Sequence, residues 1–228
     1  MSGQELRQGK QVARMSSAVE HTSLHRGILV EWLSLAWMVL EAAVAVVAGV
    51  LAHSVALVAY GADSVIELVA GVAVLSRLYV EARGGDEERV ERAERAASWV
   101  VGVALLALAV YIVVASVMSL VSRSRPETST LGIGIAAASS VLMPILATAK
   151  KRIGRTCSKA LVSDGSCSMV CAYMSWILLV GVGATALFGW WWIDAVAALG
   201  FTWFVVREGL EAIKDARNPE GEEEEWVP

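Results

Sequence analysis

Two carboxylates stand four residues apart in an otherwise apolar stretch, Ser54-Val-Ala-Leu-Val-Ala-Tyr-Gly-Ala-Asp-Ser-Val-Ile-Glu67. On a helix that spacing sets Asp63 and Glu67 one turn apart on a single face. Displacing the chain by 104 positions brings up a related stretch, Ser158-Lys-Ala-Leu-Val-Ser-Asp-Gly-Ser-Cys-Ser-Met-Val-Cys171. Ser54, Ala56, Leu57, Val58, Gly61 and Ser64 recur there as Ser158, Ala160, Leu161, Val162, Gly165 and Ser168. Under the same displacement Asp63 meets Cys167 and Glu67 meets Cys171. Two oxygen ligands and two sulfur ligands, equally spaced on matching helices, make a candidate metal site.

Zinc accepts such an O2S2 set tetrahedrally, and thiolates also favour softer ions such as cadmium. Calcium and magnesium demand more oxygens and no sulfur. Asp164 lies one turn before Cys167 and can serve as ligand, proton acceptor or hydrogen-bonding orienter. Glu41, at similar depth in the first apolar run, can complete the site or relay protons. Thiols lose protons when they bind metal, so metal and proton compete, which is a physical basis for exchanging one for the other. A single membrane cysteine is usually a small packing residue. The repeat match is what favours ligation here, and Cys157, outside the match, is read as incidental.

These residues need a scaffold that buries them. Of 228 residues, 56% are hydrophobic and 18% charged, with mean hydropathy +0.58, which is too apolar for an ordinary soluble domain. The runs are long enough to cross a bilayer as helices. The chain therefore reads as an all-α integral membrane protein with six spans, near 28–52, 54–80, 99–121, 131–149, 160–187 and 190–209. Residues 1–27 read as a polar cytoplasmic tail and not a signal peptide, and 210–228 as a short acidic one. Gly84-Gly85 marks the joint between charged extensions of helices two and three, and 150–159 reads as a basic loop. Pro144 is expected to kink the fourth helix, and Trp190-Trp191-Trp192 to open the sixth as an interfacial anchor.

Placing both termini in the cytoplasm leaves only Arg123 and Arg125 of the loop cations outside, as the positive-inside rule requires. Helices two and five then run in opposite senses, an inverted 3+3 repeat of the kind that binds substrate at the midplane between its halves. An acidic residue at the bilayer centre costs about 3 kcal/mol on insertion scales. Arg77, Arg95, Lys159 and Arg207 all fall at or beyond span ends, so no intramembrane cation is expected to pair with the carboxylates. A bound cation or proton is the expected partner instead. No basic, aromatic-laced run points to nucleic acid. His21, His25 and His53 lie at or outside the borders, so a cysteine enzyme lacks a base.

At this point the chain resembles the cation diffusion facilitators. That family's second-helix pattern D-x-x-x-D is similar to Asp63-Ser-Val-Ile-Glu67. Its fifth-helix pattern A-D-x-x-H-x-x-x-D is similar to Ser163-Asp164-Gly-Ser-Cys167-Ser-Met-Val-Cys171. Trp192-Ile-Asp194-Ala-Val-Ala-Ala-Leu199 resembles the family's start of helix six. The resemblance implies six helices, cytoplasmic termini and a metal site on helices two and five. Cys167 and Cys171 stand where His and Asp are usual, which favours softer ions. Few residues follow Arg207, so the family's cytoplasmic domain is expected to be absent and any homodimer to form through the membrane helices or the charged loop between helices two and three. The expected activity is export of zinc- or cadmium-like ions in exchange for protons, with no permanent cofactor, in a bacterial inner membrane. The alternative is a membrane metal-binding or sensing protein that moves nothing.

Overall fold

The computed structural model describes residues 3–83, 87–124, 126–127 and 129–217. Six helices carry them: α1 (Gly3–Ala52), α2 (Val55–Arg83), α3 (Glu87–Ser122), α4 (Thr130–Cys157), α5 (Lys159–Phe188) and α6 (Ile193–Arg217). Long apolar runs adopt this form because a helix satisfies its own backbone where no water can. Segments Thr22–Ala52, Val55–Arg83, Glu91–Ser122, Thr130–Thr156 and Ala160–Phe188 are long and apolar enough to cross a membrane. The sixth helix is more polar and lies along α3.

Burial is inverted relative to a soluble protein. Trp32, Val50, Val110, Met118, Val180 and Trp203 face outward, while Glu31, Glu41, Asp63, Ser139, Lys150 and Ser175 have no exposure at all. A hydrocarbon surround explains both halves of that pattern, since it solvates Val and Trp and drives polar groups inward. The chain is an all-α integral membrane protein.

The internal repeat is visible as two tight hairpins. α1 and α2 are joined by His53-Ser54, with the Ser54 amide donating to the Gly49 carbonyl at 2.9 Å. α4 and α5 are joined by Ser158 alone, whose amide donates to the Gly154 carbonyl at 2.8 Å. Gly61 packs α2 against Ala45 and Val46 of α1, and Gly165 packs α5 against Lys150 and Lys151 of α4. The first turn is one residue longer, so α1 relates to α4 by 105 positions and Lys150 takes the place of Ala45. Close approach is what the glycines permit. A Cβ at Gly61 would lie 2.7 Å from Val46 Cγ2 and 2.8 Å from the Val46 amide nitrogen. Backbone cannot yield cheaply, so Gly61→Ala is expected to destabilise the protein by about 1–3 kcal/mol. Thermal unfolding in detergent measures it, and an unchanged midpoint would contradict the hairpin packing.

Two expectations need correction. The basic loop at 150–159 is helix as far as Cys157, and the break shrinks to Ser158. At Pro144, where a kink is expected, α4 continues, although proline removes the amide that would bond the Ser140 carbonyl. The Trp176 indole N–H of α5 donates to that carbonyl at 2.9 Å and supplies the missing bond. Trp190–Trp192 form the turn before α6 and do not open it, with Trp190 and Trp192 stacked at 5.9 Å. The Gly84-Gly85 joint, Arg125 and the acidic segment from 218 onward lie outside the described residues.

Candidate metal centre

The start of α2 is fixed from two sides. The Ser54 hydroxyl caps it, accepting from the Leu57 amide at 3.1 Å. Asp194, in the first turn of α6, accepts from the Val55 amide at 2.9 Å and from the Ser54 hydroxyl. An acidic side chain suits a helix N-terminus, whose amides lack partners. This tie sets the register of α2 two to three turns above its carboxylates.

Further along, α2 meets α5. The Cys171 thiol donates to Glu67 Oε2 at 2.9 Å, so positions equivalent under the repeat touch at the crossing. Asp63, Glu67 and Cys171 each bring a ligand atom into one group whose members all lie within 4.8 Å of one another. All three are buried. Asp63 Oδ1 and Oδ2 and Glu67 Oε1 accept no hydrogen bond. Buried carboxylate oxygens without donors are costly, and a divalent cation among them would remove that cost.

Glu41 of α1 stands beside this group. Its Oε1 accepts from the Tyr60 and Ser139 hydroxyls, while Oε2 accepts none. Tyr60 also bonds Ser175, which donates to the Cys171 carbonyl at 2.9 Å. A continuous chain of hydroxyls therefore links Glu41 to the backbone of Cys171. Such networks hold neighbouring side chains to one arrangement.

Cys167 is not in the group and is exposed. The reason lies in the crossing: Asp63 and Cys167 each sit one turn back from the contact pair on helices of opposite sense. They recede from the crossing in opposite directions. Asp164 is turned elsewhere, accepting from Lys150, whose Nζ also lies 3.1 Å from Glu31 Oε2. The expectation of no intramembrane cation was thus wrong. Lys150 has no exposure and is enclosed by α1 and α5, because α4 continues through it. Extending the repeat into α1 and α4 places it opposite Ala45, a signal that was available in the sequence. Glu208 of α6 was also passed over. It lies within electrostatic reach of Glu67 and Asp63, and its Oε1 is buried without a hydrogen bond.

A membrane helix bundle with a buried carboxylate and thiol cluster at a repeat crossing defines a polytopic membrane protein with a candidate metal site. The family model for the cation efflux transmembrane domain matches residues 32–218, and the chain belongs to that family. It is 27% identical over 185 residues to the manganese efflux system protein MneS of Bacillus subtilis (strain 168). The match covers 79% of this chain and 63% of that relative, so the chain spans less than two thirds of the relative's length.

Proposed function

We propose that this protein moves divalent transition-metal ions of the zinc and cadmium class across a membrane, in exchange for protons. The observation that carries this reading is the convergence of Asp63, Glu67 and Cys171 within 4.8 Å at the crossing of α2 and α5. Two carboxylates and a thiol are a mixed hard and soft set, which zinc tolerates and cadmium prefers. Membership of the cation efflux family supports transport over simple sensing. Glu41 and its hydroxyl chain serve as a proton-linked accessory, and Cys167, one turn before Cys171 on α5, is a ligand for an altered crossing. Both termini face the cytoplasm in this reading, and the bacterial relative supports a bacterial cytoplasmic membrane.

A second reading is manganese. The matched relative bears that ion in its name, and carboxylate oxygens suit it. Purified protein in sealed vesicles, loaded with a metal indicator and a pH dye, separates the possibilities. We expect zinc, cadmium or manganese entry to be accompanied by opposite proton movement. Metal binding in detergent without any flux would instead identify a non-transporting binder.

A further inference from the structure

We propose that Glu31, Lys150 and Asp164 form a buried binding site for a single proton, separate from the metal cluster. The three residues come from α1, α4 and α5. Lys150 Nζ lies 3.1 Å from Glu31 Oε2, donates to Asp164 Oδ2, and reaches Ser168 Oγ at 3.4 Å. Glu31 and Lys150 have no exposure, and Asp164 has 7%. Asp164 is seven residues before Cys171, about 10 Å along α5 at helical rise. Glu31 is ten residues before Glu41, about 15 Å along α1. The triad therefore lies some two turns from the cluster of Asp63, Glu67 and Cys171.

Charge counting identifies the ligand. Two carboxylates and one ammonium leave one negative charge in a place closed to water. A buried charge without a counter-charge is expensive, and taking up a proton is the cheap remedy. The oxygen that would receive it is identifiable: both Glu31 oxygens are buried without a hydrogen bond, but Oε2 faces the Lys150 ammonium at 3.1 Å, which leaves Oε1 for the proton. A metal ion is disfavoured, since the ammonium already occupies the position between the carboxylates. The groups facing Glu31 are Lys150 and Asp164, and those facing Lys150 are Glu31, Asp164 and Ser168. Cys167 lies one turn beyond Asp164 on α5. From α2, Gly71 faces this side: a Cβ there would lie 3.0 Å from Glu31 Oε1 and 2.7 Å from Leu35 Cδ2 of α1.

The site also joins the two halves of the repeat, Glu31 in the first and Lys150 with Asp164 in the second. Its charge changes between minus one and zero with the proton. That alters the attraction holding α1 to α4 and α5, the surfaces that must move if the halves rock. As the coupling site, the triad rests on the transport reading above; as a proton site, it does not.

Infrared spectroscopy of the metal-free protein in lipid near neutral pH tests the site directly. Glu31→Gln should lose the carbonyl band of one protonated carboxylic acid relative to wild type. Lys150→Met should gain intensity in the same region, because both carboxylates then lack their counter-charge. If Lys150→Met fails to fold, Glu31→Gln decides alone. Unchanged band area in Glu31→Gln overturns the proton site. In sealed vesicles, Glu31→Gln should keep metal-for-metal exchange while losing accumulation driven by a pH gradient. Wild-type accumulation in that variant overturns the coupling role. A wild-type protein that moves no metal overturns the transport reading and the coupling with it, while the infrared result still judges the proton site.

Discussion

Asp63→Ala is expected to weaken zinc or cadmium binding at least about a hundredfold, roughly 2.8 kcal/mol, and to abolish flux. Asp63 supplies two of the unbonded oxygens in the cluster, so removing it deletes up to half of the oxygen donors facing the ion. The metal-free fold should not suffer. The side chain has no exposure and no hydrogen-bonded donor, so its loss removes a cost and no contact of consequence. Insertion scales charge about 3 kcal/mol for a mid-membrane aspartate, which alanine does not incur. The apo protein is therefore expected to melt at the wild-type temperature or above it. A competitive indicator titration together with a melting curve measures both terms. Wild-type affinity in a correctly folded Asp63→Ala protein would remove Asp63 from the ion.

That separation of binding from folding also shows which features the sequence made readable. The helices were legible because apolar runs of this length have one solution in a bilayer. The meeting of α2 and α5 was legible because the repeat aligned Glu67 with Cys171, and those two residues do touch. Their companions were less so. The repeat treats Cys167 as the twin of Asp63, but equivalence in sequence does not set distance from a crossing point. Lys150 was misread for a different reason: Lys150-Lys151-Arg152 resembles a loop when judged by charge alone. Only burial reveals that one of these three cations turns inward, toward carboxylates on two other helices that no local pattern connects to it.

Cys171→Asp is expected to lower the preference for cadmium over manganese by at least about tenfold, roughly 1.4 kcal/mol. Cys171 is the one sulfur in the converging group, and its Sγ lies 2.9 Å from Glu67 Oε2. Thiolate sulfur is the donor that holds soft ions, whereas oxygen donors suit manganese. Aspartate is close in size and keeps an anionic ligand at the same turn of α5, so the count of donors is preserved while their softness changes. Zinc, which accepts both kinds of donor, should fall between the two ions. The measurement is a three-metal competition titration at one pH, because thiols and carboxylates release protons over different ranges. The Ser175 hydroxyl binds the Cys171 carbonyl and not its sulfur, so the hydroxyl chain to Tyr60 and Glu41 has no part in the exchange of side chains. A cadmium-to-manganese ratio equal to wild type would mean that the ion is held by the carboxylates alone, and that the thiol serves only as a donor to Glu67.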